Sequence, residues 1–186
     1  MTVKDVLKSA SLLLTKLDLL SALDSNSIAS SFTRDINLLI GATNLVINEI
    51  VSDYVPIYKS EDIEVSTGKY AVSSLSATLL AIRHLKSEAG YNVKYTIESG
   101  YILLPNGKFN IKYSYLPAKV TALSDSLSFL DPQITDRVIA YGVVSEYYLI
   151  NGLYSEAKLW RDKFESGVNS ASKRLSNIVM RGKVWE

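Results

Sequence analysis

The sequence predicts an α+β fold in which a four-helix bundle, built from two helical hairpins, is interrupted by a small antiparallel β-domain inserted between the hairpins. Three observations carry this expectation. Apolar residues recur at three- and four-residue steps toward both ends of the chain. β-Branched residues and tyrosines crowd its middle, punctuated by Gly, Pro and Asn. Each helical pair has an apolar face that it cannot hide alone, so the two pairs pack most simply on each other. On this reading the bundle takes residues 1–55 and 117–175, the β unit takes 56–116, and a C-terminal tail covers 176–186.

From Thr2 to Leu23 the stripe Val3, Val6, Leu7, Ala10, Leu13, Leu14, Leu17 and Leu20 predicts one amphipathic helix, with Lys4, Lys8, Ser11 and Asp18 opposite. The polar run from Asp24 to Ser27 supplies a turn and an N-cap. A second helix follows on Ile28, Phe32, Ile36, Leu39, Ile40, Thr43, Val46, Ile47 and Ile50, ending near Asp53 before Pro56. Two long helices joined by a few residues pack antiparallel.

Past Pro56 short strands are expected at Ile57–Tyr58, Ile63–Val65, Leu79–Lys86, Tyr91–Ile97, Tyr101–Leu104 and Lys108–Tyr115. Asn106-Gly107 suits the positive φ angles of a tight hairpin turn between the last two. Phe109, Ile111, Tyr113 and Tyr115 alternate with Asn110, Lys112 and Ser114, giving that strand one core face and one solvent face. Beyond Pro117, Thr121–Phe129 reads as a short helix or an ordered loop. Asp131-Pro132 reads as an N-cap and first helical residue, and Gly152 as the C-terminal cap of that helix. A last helix follows on Leu153, Ala157, Trp160, Phe164, Val168, Ala171, Leu175 and Ile178.

Composition narrows function. The 186 residues carry 20 basic and 19 acidic side chains, a net charge of +1, so whole-molecule electrostatics favour neither nucleic acid nor a membrane surface and any charge-based binding must be local. The lack of cysteine removes thiolate chemistry, disulfides and cysteine-ligated metal. Asp5 and Lys8 interrupt the N-terminal segment, so no signal peptide is expected. The stretches 36–51 and 138–150 carry Asn44, Asn48, Glu49, Ser145 and Glu146, which disfavours membrane spans.

No hydrolase, zinc or phosphate-loop motif is present, and no catalytic, cofactor or metal residue is expected. The one histidine, His84, is expected on the polar face of a strand. Glu61, Asp62 and Glu64 lack calcium-loop spacing and read as solvated loop charge. Twelve tyrosines are the larger anomaly; Tyr54, Tyr58, Tyr70, Tyr91, Tyr95, Tyr101 and Tyr113 lie in or beside the β unit, and Tyr115 closes it. Tyr141, Tyr147 and Tyr148 on one helix cannot share one direction. The tail from 173 to 186 holds Lys173, Arg174, Arg181 and Lys183 against Glu186, with Val184-Trp185 as an aromatic anchor suited to docking. The candidate partner-binding residues are therefore Arg181, Lys183, Val184, Trp185, Tyr101 and Tyr115.

The run Gly68–Ser76, the strand around Ile82-Arg83-His84, Gly90-Tyr91, the turn Pro105-Asn106-Gly107 and the run Asn110–Pro117 resemble the β region of head-to-tail adaptor (connector) proteins of tailed bacteriophages. The closing helices are similar as well, at Asp136–Gly142, Glu146–Gly152, Glu156–Arg161 and Phe164. The resemblance covers residues 56 to 166 and lies in hydrophobic and turn pattern rather than chemical groups. It implies a structural protein of the virion neck, made in the host bacterial cytoplasm, with no enzymatic activity and no cofactor. It also implies a ring of about twelve subunits that binds the portal protein, extends the DNA channel and offers tail or neck proteins a platform. In that picture residues 176–186 dock on the portal, the β lobe faces subunits or the tail, and genomic DNA passes without sequence-specific binding. Two other readings stay open: a tail terminator or completion ring, and a tyrosine-rich module that binds carbohydrate or peptide.

Overall fold

The computed structural model describes residues 1–25 and 29–175. Within them the chain is mixed α+β, with helices α1 (Val3–Leu13), α2 (Leu17–Ser25), α3 (Thr33–Glu49), α4 (Asp136–Ile150) and α5 (Tyr154–Leu175). The strands are β1 (Tyr58–Val65), β2 (Lys69–Ala71), β3 (Thr78–Ser87), β4 (Thr96–Glu98), β5 (Tyr101–Leu103) and β6 (Gly107–Leu116). They form two antiparallel three-stranded sheets in the orders β1-β6-β3 and β2-β5-β4. Two compact units result, one from Met1–Ile47 with the chain from Val120 onward, the other from Asn48–Lys119.

In the helical unit α1 follows the expected stripe, burying Val3, Val6, Leu7 and Ala10, but Ser11, expected on the polar side, is buried with them because it stands one residue beyond Ala10 and four beyond Leu7. Its start is fixed by a capping box, in which Thr2 Oγ1 accepts from Asp5 N at 3.3 Å while Asp5 Oδ2 accepts from Thr2 N at 2.7 Å. The loop 121–130 closes the same end: Val3 N and Lys4 N donate to the carbonyls of Asp125 and Leu123, so two donors left over by the first turn are used. That segment is thus an ordered loop with no α-helix. Its own shape is held by Asp125, whose carboxylate accepts from the backbone of Thr121 and Ala122 and is held below the ordinary carboxylate range by those bonds.

The single helix expected over Thr2–Leu23 is two. It breaks at Thr15, which takes a left-handed φ of 56°. Lys16 N reaches back to the Ser11 carbonyl and Thr15 N to that of Leu12, the double bond pattern with which a helix normally ends on glycine. Lys16 then anchors the corner. Its ammonium lies 2.5 Å from Asp35 Oδ2 of α3 and 5.0 Å from the centre of the Tyr147 ring of α4. Burial alone would lower the Lys16 pKa; the bonds to Asp35 and Tyr147 raise it overall.

The second expected helix, placed from Ile28 to Asp53, is α3 preceded by a 3-10 turn at Ser30–Phe32 and followed by a π-helical turn at Ile50–Tyr54. The expected start of the next helix at Asp131 is also displaced. Asp131 Oδ1 accepts from Gln133 N in a turn, and α4 begins at Asp136 behind the N-cap Thr135. Its far end falls where expected. Gly152, at φ 74°, and Leu153 donate to the carbonyls of Leu149 and Tyr148, and α5 starts at Tyr154.

Close approach holds α3, α4 and α5 together. A Cβ placed on Gly142 would lie 2.9 Å from Val46 and 3.0 Å from Phe164, so only hydrogen fits there. Polar bonds also cross helices in this unit: Ser145 Oγ donates to the Ala157 carbonyl at 2.9 Å, Ser9 Oγ to Asp136 Oδ2 at 2.6 Å, and Lys8 pairs with Asp24 at 2.5 Å. The chain's return at Val120 is gripped from both sides by Asn44, which donates to its carbonyl and accepts from its N–H, each at 2.9 Å.

In the β unit, β6 is the central strand of its sheet, paired with all eight residues of β1 on one side and with β3 on the other. Phe109, Ile111 and Tyr113 are buried as the alternation predicts, and they join Ile63, Val65, Leu75, Leu85, Ile102 and Leu104 in one core. The Asn106-Gly107 hairpin is not formed, because β5 pairs with β2 and β4 while β6 belongs to the other sheet. The turn instead carries the chain between sheets, and Asn106 Oδ1 accepts from Gly68 N at 2.7 Å. The tight two-residue hairpin lies at Ser99-Gly100, with φ of 48° and 81° between the paired Glu98 and Tyr101. The strand expected over Tyr91–Ile97 is only Thr96–Glu98. Tyr91 and Val93 instead bond back to β3 after a turn at Ser87–Gly90.

A β-branched residue held at φ 56° is strained, and the conformation costs an L-residue about 1–2 kcal/mol relative to glycine. Thr15→Gly is expected to stabilise the protein by about 1 kcal/mol in urea unfolding, and an unchanged or lower midpoint would contradict the account of the break.

Candidate functional site

The acidic group at 61–64 stands on β1 instead of a loop, so strand alternation separates its members. Asp62 faces out and accepts from Asn110 Nδ2 at 2.8 Å, and Glu64 stands opposite Lys108. Glu61 shares the core-facing side with Ile63. Its carboxylate accepts from Tyr113 Oη at 2.5 Å, from Ser76 N at 3.3 Å and from Ser76 Oγ. Lys59 donates to Ser76 Oγ and lies 3.6 Å from the carboxylate. Burial alone would raise the Glu61 pKa; the Ser76 and Tyr113 hydrogen bonds, aided by Lys59, bring it below the ordinary value. Burial and the neighbouring carboxylate push the Tyr113 hydroxyl up. Chemically this is a satisfied carboxylate that ties β1, β6 and the 72–78 segment together. The Ser76 proton is directed at Glu61.

Beside this network opens a groove of about 660 Å³ lined by Val72, Ser73, Ser76, Leu79, Gly100 and Tyr101. Tyr101 is thereby placed at a concave surface, 40% exposed, with the Lys69 ammonium 5.1 Å from its ring centre. Tyr115 is placed differently. It lies on β6, half-buried against the core, edge-on to Tyr113 with ring centres 6.4 Å apart. The two tyrosines stand on different sheets. The remaining candidates, Arg181, Lys183, Val184 and Trp185, lie outside the described residues.

The helical unit presents a surface that sequence reasoning did not single out. At the α4–α5 turn Leu149, Ile150, Leu153 and Tyr154 are 42%, 55%, 45% and 72% exposed. Four large, mainly apolar side chains within six residues are thus exposed around the Gly152 turn. Part of the signal was present in the sequence. Leu149 falls off the α4 stripe of Ile139, Ala140, Val143 and Val144, whereas Ile150, seven residues after Val143, stands on it and is left exposed at the helix end. The tyrosines of α4 diverge as expected. Tyr141 stacks 5.7 Å from Trp160 and accepts from Arg137 Nε, whereas Tyr147 meets Lys16 and Tyr148. His84 stands on the outer face of β3 opposite Lys112, on the polar side where it was expected.

Among the described residues no group of three or more His, Asp or Glu is placed to hold a metal ion, and no helix is long and apolar enough to cross a membrane. No protein-family model matches this chain, and no curated protein matches it.

Glu61 yields a pH signature. Its pKa is lowered in the fold, so its contribution to stability is fully present above the ordinary value near 4.5 and is lost as pH falls through the folded value. Glu61→Gln is expected to cost about 2 kcal/mol at neutral pH, with the gap to wild type closing below about pH 4.5. A gap constant from pH 7 to pH 3 in urea unfolding would contradict the ionised network.

Proposed function

We propose that this protein is a structural ring component of a tailed-phage virion, a head-to-tail adaptor that binds the portal ring, extends the DNA channel and presents a platform for tail or neck proteins. The reading includes the finer architecture, two helical hairpins forming one bundle with the β unit inserted between them. It includes a non-enzymatic role, assembly on the portal as about twelve copies, and residues 176–186 as the portal-docking segment. The observation that carries it is the apolar corner Leu149, Ile150, Leu153 and Tyr154. A patch of this kind on a chain of near-zero net charge suits burial against another copy or a partner. The resemblance in strand and helix pattern supplies the identity of that partner.

Head-to-tail closure uses two different surfaces of each subunit, so one damaged patch breaks every contact in the ring. A tail terminator would use the same logic on the tail tube. The groove at Tyr101 favours a second reading, a carbohydrate- or peptide-binding module, since a flat ring beside hydroxyl groups suits such ligands.

Mixing the purified chain with the portal protein from a neighbouring reading frame is expected to give a ring carrying one copy per portal subunit, measured by native mass. Ile150→Ser with Tyr154→Ser, both at exposed positions, is expected to abolish the complex while leaving the melting temperature in place, and deletion of 176–186 to weaken it. Absence of a complex at both low and moderate salt would overturn the adaptor reading, and binding on a glycan or peptide array that Tyr101→Ala removes would establish the second.

A further inference from the structure

The near-neutral composition hides a segregation of charge within the β unit. β3 and β6 are neighbours, and together they carry Arg83, His84, Lys86, Lys108 and Lys112 without one carboxylate. The acidic side chains of this sheet are on β1, at Glu61, Asp62 and Glu64. Those on the outer side, Asp62 and Glu64, offset the basic surface at the β1 edge and beside Lys108, away from β3. Glu61 turns inward to Ser76 and Tyr113, Asp62 is engaged by Asn110, and Glu64 faces Lys108. Lys112 and His84 are paired directly across β6 and β3, and Lys86 follows two residues along on the same side. Arg83 is the extra residue of a bulge between Ile82 and His84, and its side chain is exposed. None of the four has a carboxylate partner among the described residues. Slight burial and the positive charges of Lys86, Lys112 and Arg83 hold the His84 imidazole below its ordinary value, which shows how closely the cations crowd it.

The same face offers an aromatic ring. Tyr58 starts β1 and is 46% exposed, with the Lys112 ammonium 5.6 Å from its centre. Small side chains surround it: Ser114 lies opposite on β6, Ala81 beyond it on β3, and Ser60 next along β1. A cavity of about 410 Å³ opens there, lined by Tyr58, Leu80, Ala81, Arg83 and Ser114 among others. A row of cations that repel each other is relieved by a polyanion, and the ring beside them offers a stacking surface. The face is a sheet surface that carries no helix to enter a duplex groove, so its match is an unpaired strand with free base faces.

We propose that the outer face of the β1-β6-β3 sheet binds single-stranded nucleic acid, with phosphates on Arg83, His84, Lys86 and Lys112 and a base against Tyr58 and Leu80. The binding is independent of sequence, because phosphate contacts and ring stacking read no base edge. It requires no ring and no portal, so its failure leaves the adaptor reading where it stands, and the reverse holds as well.

The test is fluorescence anisotropy of the full chain with a labelled oligothymidylate of about 12 nucleotides. Binding is expected to weaken with salt with a log–log slope of about −2, as three lysine and arginine contacts to a single strand require. Arg83→Gln/Lys86→Gln/Lys112→Gln is expected to lower affinity at least ~10-fold and to flatten the salt slope. Tyr58→Ala is expected to lower affinity about fivefold with the slope unchanged. Lys69→Gln, on the other sheet, is expected to leave both in place. Should the triple variant melt early, Lys86→Gln and Lys112→Gln singly carry the comparison. Wild-type affinity in these variants, tighter binding to a duplex of the same length, or equal binding to polyglutamate would each overturn the proposal.

Discussion

The helical unit depends on a chain that leaves it and returns a whole unit later, and one side chain fixes the place of return. Asn44 of α3 holds both backbone groups of Val120, so the returning residue is paired as completely as in a sheet. Much follows from that fixed point. The loop 121–130 begins there, and its carbonyls at Leu123 and Asp125 take up the first-turn donors of α1. The loop also leads to Thr135, the N-cap of α4, whose Gly142 lets Val46 of α3 and Phe164 of α5 close around it. Hydrophobic burial supplies the driving force of this unit, but it has no direction. The amide contact and the glycine give it one.

Much of the fold was legible because periodicity is a local property. The stripes of α1, α3 and α5 and the alternation of β6 rest on spacing alone, and the structure buries most of the residues that spacing selects, while Leu17 and Leu153 are exposed at helix starts. Pairing between strands was not legible in the same way. Asn106-Gly107 has turn chemistry, but which strands flank a turn is settled by distant partners; here β6 takes β1 and β3, and β5 takes β2 and β4. Ser99-Gly100 satisfies the hairpin requirement instead. The break at Thr15 went unseen for a different reason. Helix ends are read from glycine or asparagine, and here a threonine is forced into the glycine conformation by the Lys16 contacts to Asp35 and Tyr147 around it.

The candidate sites were less legible, and the physical reason is that tyrosine and glutamate each serve two opposite environments. Tyr101 and Tyr115 are the same residue type in the same region, yet one lines an open groove and the other packs on the core. Glu61, Asp62 and Glu64 are nearly consecutive, and strand alternation alone makes the first a half-buried anchor on the core side and leaves the others outside. Knowing β1 to be a strand would have been enough to separate them. The apolar corner at Leu149–Tyr154 was legible only in Leu149, which falls off the α4 stripe; Ile150 and Leu153 fit the core stripes by spacing and are exposed because they stand at helix ends.

The two proposed surfaces differ in character, one apolar and one cationic, and this difference gives the proposed roles different physical signatures. The corner of the helical unit is apolar, so contact through it is expected to gain from burial and respond weakly to salt. The outer sheet face of the other unit is cationic, so contact through it is expected to weaken steeply as salt screens the phosphates. A net charge of +1 reports the sum of both and describes neither. A chain of this composition therefore has room for a hydrophobic assembly surface and an electrostatic binding surface at once, since the acidic residues that cancel the total stand elsewhere, those of this sheet on β1 and none on β3 or β6. Placement of the acids off β3 and β6 leaves that face locally basic, and net charge alone cannot reveal it.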